Sequence, residues 1–185
     1  MPISGITASE QHMVSDEALM LDFQRGSRDA FEELFARYRQ PLYGFFRRRL
    51  ESRDRAEDLV QETFLAVIRG ASRYEPRALV RTYLYGIALK LVVTARRKLA
   101  RDPAPEPLAT IGGAVENALW IQQALEKLDP SEREILMLRE YEQLRYTEIA
   151  DLLRLPVNTV RSRLFRSRLA LKQRLEPAAR LDIEA

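Results

Sequence analysis

The chain has 185 residues, 46% hydrophobic and 31% charged, which is enough apolar matter for one or two small folded domains. Its 30 Lys+Arg against 27 Asp+Glu leave a formal charge of only +3, so a polyanionic partner is implied only where the positives cluster. No cysteine is present, which excludes disulfides, zinc fingers and thiol catalysis, and the single histidine, His12, has no ligand partners, so neither metal nor cofactor is expected.

Met1 to Gln11 lacks the basic start and apolar run of a secretory signal. The most apolar stretch, Tyr83 to Val93, contains Lys90 and falls short of the ~20 residues that span a bilayer. A soluble, cytoplasmic protein with no membrane insertion is expected.

In chain order, residues 1–14 read as a tail, and Ser15 as the cap of a helix over Asp16 to Arg25 with Leu19, Met20 and Phe23 inward. Gly26-Ser27 ends it. A second helix starts at Ser27 or Asp29 with a stripe of Phe31, Leu34, Phe35 and Tyr38. Pro41 marks a new start or a kink, after which Leu42, Phe45, Phe46 and Leu50 continue the apolar face. Arg47, Arg48 and Arg49 are placed in solvent.

Asp54 to Arg69 is a third helix, closed by Gly70 as the residue beyond its C-cap. Val60, Phe64, Val67 and Ile68 mark its inner face, and Glu57, Asp58, Gln61 and Glu62 an acidic outer one. Those acids either complement the helix dipole or invite a basic protein partner. Arg73 to Val80 is a loop broken by Pro76, and a helix follows over Arg81 to Leu99, near whose end stand Arg96 and Arg97. Tyr74, Tyr83 and Tyr85 lie among Arg73, Arg77, Arg81 and Lys90. That is the composition expected where unpaired bases stack and phosphates are neutralised, although each tyrosine is also a core candidate.

Asp102 to Gly113, with three prolines and two glycines, reads as an extended linker. Helical pattern resumes at Ala114, with Val115, Leu119, Ile121 or Gln122, Leu125 and Leu128 apolar. Asp129 or Ser131 caps the next helix, in which Ile135, Leu136 and Leu138 are buried. Tyr146 to Arg174 then divides into a short apolar helix, a turn at Leu155-Pro156-Val157-Asn158, and a longer basic helix. Ile149, Ala150, Leu152 and Leu153 give the first an inner face, Asn158 is taken as the N-cap of the second, and Val160, Leu164, Leu171 and Leu175 form its stripe. Arg161, Arg163, Arg166, Arg168, Lys172 and Arg174 fill the remaining faces with no acid before Glu176. A solvated face usually mixes signs, so this one-sidedness favours a helix-turn-helix whose second helix enters a DNA major groove. Pro177 is expected to end regular structure.

No strand pattern occurs. The expected fold is all-α, with two helical domains over residues 15–101 and 114–176, a proline-rich linker over 102–113 and a closing tail over 177–185. No active site is evident: Glu57, Asp58 and Glu62 share one helix without a histidine or a second cluster, so a non-enzymatic protein is expected.

The aromatic helix pair, AEDLVQETFLAV at Ala56 to Val67, YLYGIA at Tyr83 to Ala88 and the terminal YTEIADLL…PVNTVRSRLFRSR together resemble a bacterial RNA polymerase sigma factor of the sigma-70 family, extracytoplasmic-function (ECF) group. The resemblance covers Asp16 to Leu175. It implies a sigma-2-like domain and a sigma-4-like domain, with core polymerase and promoter DNA as partners and an anti-sigma factor as the usual kind of regulator. It also implies docking of Glu57, Asp58, Leu59, Gln61 and Glu62 on the clamp helices of the largest subunit, with the flap region as a further contact. Arg73, Tyr74, Arg77, Arg81, Tyr83, Lys90, Arg96 and Arg97 match the part that captures the minus-10 element. Asn158, Thr159, Arg161, Ser162, Arg163, Phe165 and Arg166 match the part that reads the minus-35 element.

Departures from the family pattern are tyrosine for tryptophan at Tyr83, and Lys90 and Thr94 where asparagine and aspartate are common. Arg154 and Asn158 stand where glycine is frequent, and Arg154 suits that turn only with a right-handed backbone. The rival reading is a stand-alone helix-turn-helix regulator that does not dock on polymerase.

Overall fold

A computed structural model describes residues 14–50, 52–77, 79–101 and 115–179. The expected linker, nearly all of the first tail and residues 180–185 lie outside the described residues, as do the side chains of Val115 and Leu119. Among the described residues all regular structure is helical: α1 (Asp16–Gln24), α2 (Arg28–Arg47), α3 (Arg53–Gly70), a 3₁₀ turn (Ala71–Arg73), α4 (Val80–Arg101), α5 (Val115–Glu126), α6 (Pro130–Glu140), α7 (Tyr146–Leu153) and α8 (Val157–Ala179).

The first three helices start where short polar side chains can cap them. Ser15, Ser27 and Ser52 accept from the backbone N–H of Ala18, Ala30 and Arg55 at 3.1, 3.2 and 3.3 Å, each cap contributing about 1 kcal/mol. Pro41 neither starts nor breaks a helix, because α2 runs through it unbroken. The lost hydrogen bond to the Arg37 carbonyl is offset by burial of Leu42, Phe45 and Phe46, all 0% exposed. These residues join Met20, Leu34, Val60, Phe64, Val67, Leu84 and Ala88 in one core shared by α1 to α4.

Two expectations about α3 are corrected. Ile68 is 49% exposed, because Val60, Phe64, Val67 and Ala71 follow the buried stripe at helical spacing and Ile68 rotates off its edge. Gly70 is helical with φ −102°, so it does not end the helix in the left-handed region. Its role is spatial: a Cβ there would lie 2.6 Å from the Tyr83 hydroxyl.

In the second half, Asp129 caps α6, accepting from the N–H of Ser131 and Glu132 at 2.9 and 3.3 Å. Leu128, Ile135, Leu138, Leu144, Ile149, Val160 and Leu164 form its core. α8 continues through Pro177 to Ala179, beyond the expected end.

The two halves touch. α7 packs on α4, where the position of a Cβ on Gly86 lies 3.5 Å from Leu152. Arg49, expected in solvent, is 6% exposed at the end of α2. Its guanidinium lies 3.7 Å from the centre of the Phe45 ring and bonds Glu134 at 2.8 Å and Glu142 at 3.2 Å. Burial of this arginine is made possible by acids from the other half of the chain.

Candidate nucleic-acid interface

α8 owes its orientation to its neighbours. Val160 and Leu164, 0% and 1% exposed, anchor one side. The buried Ser167 hydroxyl reaches the Glu132 carbonyl at 3.1 Å and the Arg163 carbonyl at 2.6 Å, tying α8 to the start of α6. The first helical bonds of α8 go to the Pro156 carbonyl, from the N–H of Thr159 (2.9 Å) and Val160 (3.1 Å). Asn158 is therefore inside the first turn and not the N-cap, which frees its side chain for the surface.

The opposite side carries Asn158, Arg161, Ser162, Phe165 and Arg166, all exposed, with Thr159 and Arg163 half-buried. Phe165 is 69% exposed, an unusual place for an aromatic ring unless it meets a partner. The local sequence has no acid, but the fold supplies two: Arg166 pairs with Glu132 at 2.9 Å and Arg168 with Glu140 at 2.6 Å. The most outward arginine of the first turns is Arg161.

The turn before α8 is tight and left-handed. Arg154 has φ 54° and ψ 48°, against the expected right-handed backbone, and the Leu155 N–H bonds the Ala150 carbonyl at 2.9 Å. This is the helix ending that glycine ordinarily occupies, reached here at the cost of backbone strain. At the start of α7 the buried Glu148 accepts from the Arg145 N–H at 2.6 Å.

A second basic surface lies on α4 and the loop before it. Arg73, Arg77, Lys90, Arg96 and Arg97 are exposed. Tyr83 is half-buried with its ring centre 5.4 Å from that of Tyr74. Tyr74 is 6% exposed, so it supports the surface from beneath and does not face solvent; burial pushes its hydroxyl up to about 12. Tyr85 is likewise core, 3% exposed, with its hydroxyl pKa raised chiefly by burial and then by Glu142. Arg81 is turned away from the open surface, its guanidinium donating to the Glu142 carbonyl. The Arg96 guanidinium donates to the Arg49 carbonyl at 3.2 Å, and its partial desolvation lowers its pKa.

Two residues the sequence reading did not single out shape this loop. The Gln24 amide donates to the carbonyls of Ala71 and Tyr74 at 2.5 and 2.8 Å, and Glu17 accepts from the Val80 N–H at 3.1 Å. Both act across the fold, and no local pattern marks them.

On α3, Glu57, Asp58, Gln61 and Glu62 are exposed, whereas Leu59 is 8% exposed and belongs to the core. The outer stripe continues past the acids to Leu65 and Ile68, 46% and 49% exposed. Acid and apolar residues thus share one face at i, i+3, i+4 and i+7 spacing. Beside it, Asp58, Glu62, Leu91, Thr94, Ala95 and Lys98 help line a groove of about 350 Å³ between α3 and α4. Among the described residues no cluster of acids, histidines or cysteines could hold a metal, and no helix is long and apolar enough to cross a membrane.

The described residues form an all-helical fold with an exposed acidic helix, a basic aromatic surface and a terminal helix-turn-helix, and comparison with known proteins gives its class. Residues 34–102 match the family model "Sigma-70 region 2" and residues 118–171 match "Sigma-70, region 4". The chain is 31% identical to the RNA polymerase sigma-H factor of Pseudomonas aeruginosa, over 89% of this chain and 96% of that one. It is also 31% identical to the ECF RNA polymerase sigma-E factor of Escherichia coli, over 93% and 99%. Among solved structures it resembles CnrH in complex with the cytosolic domain of CnrY, with 26% identity, 92% and 99% coverage and a TM-score of 0.66. The chain belongs to the sigma-70 family of RNA polymerase sigma factors, in the ECF group.

Proposed function

We propose that this chain binds core RNA polymerase and directs it to promoters, holding open the minus-10 element with its first helical unit and reading the minus-35 element with its second. The observation that carries this reading is the outer face of α8, where Asn158, Arg161, Ser162 and Phe165 stand clear of the core on a sigma region 4 match. Arginines there reach phosphates or the O6 and N7 of guanine, and the Phe165 ring suits thymine methyls.

Residues 15–101 and 114–176 are taken as the two working units, with 102–113 as the tether that lets two weak sites act together. Tyr83, with the exposed Arg73, Arg77, Lys90 and Arg97 on α4 and the loop before it, supplies the stacking and phosphate surface for the displaced strand. Arg96 is exposed on that surface while donating to the Arg49 carbonyl, and Arg81 joins it only when its bond to the Glu142 carbonyl is released. Asp58, Glu57, Gln61 and Glu62 supply the acids for the clamp helices, and Leu65 and Ile68 extend that face with apolar contact. An apolar groove of about 500 Å³ between α5, α6 and α8, lined by Leu125, Leu136, Met137 and Leu171, suits the flap region. Melting uses binding energy alone, so no chemistry is assigned to this chain, and it acts in the cytoplasm with the polymerase. Its likeness to CnrH, solved with the cytosolic domain of CnrY, supports an anti-sigma protein as its regulator.

The test is a pull-down with core polymerase followed by run-off transcription on fragmented genomic DNA. Stable binding with new, discrete transcripts is expected. Duplex binding without polymerase binding would instead make the chain a stand-alone regulator.

A further inference from the structure

The arginines of α8 differ in what holds them. Arg161 and Arg163 form no ion pair or side-chain hydrogen bond with a described residue. Arg168 is engaged by two of its nitrogens, Nε at 3.0 Å and Nη2 at 2.6 Å, both donating to one oxygen of Glu140. Arg166 is engaged by one. Its Nε donates to Glu132 at 2.9 Å, and neither Nη1 nor Nη2 donates to a described residue, in a side chain that is 59% exposed. Glu132 is in turn fixed at both ends of its own backbone. Its N–H donates to the capping Asp129 at 3.3 Å, and its carbonyl accepts from the buried Ser167 hydroxyl at 3.1 Å, one residue on from Arg166.

We propose that Glu132, on α6, is a positioning residue for reading the upstream element: it grips Arg166 by Nε, so that the Nη1–Nη2 edge is presented to the O6 and N7 of one guanine. The inference rests on the promoter-reading function proposed above and names the pair of residues that gives it a base preference. Its first ground is geometry. A guanidinium is a rigid planar fork, and tying Nε fixes the plane while leaving the two-donor end open. Guanine is the base whose major-groove edge offers two acceptors to such a fork. The second ground is charge. An arginine paired with a carboxylate displaces few counterions and adds little sequence-independent attraction to phosphates, but its remaining donors keep their direction. Arg161 and Arg163 keep their whole charge. The third ground is place: Asn158, Ser162 and Arg166 follow one another at i+4 spacing and all three are exposed, so they share one face of α8.

The experiment is duplex binding by the complex of the full chain with core polymerase. The probes are an upstream element taken from the run-off transcripts and copies of it with each base pair replaced in turn, at several salt concentrations. Wild type is expected to lose roughly tenfold in affinity when one particular G·C pair is replaced. In Arg166→Ala that loss is expected to vanish at this pair and to persist at the others. Glu132→Ala leaves the backbone bonds to Asp129 and Ser167 available. It is expected to cut the preference at the same pair to about threefold or less, and to steepen the fall of log K with log salt by about 0.9, as the released arginine takes up a phosphate. Should Glu132→Ala change the far-UV circular dichroism, Glu132→Gln replaces it: the amide keeps the shape and removes the charge, so the same steepening is expected. Arg166→Ala weakened equally on every sequence, or a Glu132 variant with both the preference and the salt slope of wild type, would overturn the inference and leave promoter reading in place. A wild type with no preference at any pair would overturn promoter reading and this inference with it.

Discussion

Arg154 holds its backbone at φ 54° in the turn that leads from α7 into α8. A side chain in that region costs about 1–2 kcal/mol, and glycine avoids the cost while losing more freedom on folding. Arg154→Gly is therefore expected to stabilise the protein by about 0.5–1 kcal/mol in urea unfolding; a destabilised variant would mean that the arginine side chain contributes more than the strain. Arg161→Ala is expected to cost about 1–3 kcal/mol of minus-35 binding on the preferred sequence if the arginine reads a base. Equal weakening on all sequences would assign it to phosphate. Asp129 has its pKa lowered, first by the Ser131 hydroxyl and then by backbone N–H groups at the start of α6. Its capping contribution is complete above the unfolded value of 3.8 and lost as pH falls through the lower folded value. The difference in melting temperature between wild type and Asp129→Asn should thus be largest near neutral pH and shrink below about pH 4.

At the scale of the element, α3 divides its residues between a buried face and an exposed one. Val60, Phe64 and Val67 face the core, while Asp58, Glu62, Leu65 and Ile68 face out. A charge reversal on the outer face leaves the buried stripe intact. Asp58→Arg is expected to abolish capture of core polymerase with helical content unchanged; retained capture would remove this face from the docking surface. The α3 stripe and the acids were legible from spacing alone, because a helix turns by a fixed angle per residue. The side to which Ile68 falls was not, since it sits at the stripe's edge and neighbouring helices decide where the core ends. Leu59 shows the converse: the family resemblance counts it with the docking segment, and packing puts it inside.

For the whole molecule, the polar seam of Arg49, Glu134 and Glu142 lies beside an apolar core that is continuous through both halves where α7 packs on α4. A chain so coupled is expected to unfold in one calorimetric transition, and Glu142→Arg to divide it into two; a single transition in both would show that the α4–α7 contact holds the halves together without the seam. The sequence by itself determined the helical class, the Ser15 cap, the basic terminal helix and the family. Each of these is a local pattern, set by residues a few positions apart. Only the tertiary structure decided that Arg49 is buried, that Arg81 is occupied, and that Arg166 and Arg168 meet the acids of α6. Arg49 and Glu142 are 93 residues apart in the chain. No periodicity relates positions so distant; their burial follows from how the two halves pack, and a charge enters a low-dielectric interior only where the fold brings its counter-charge.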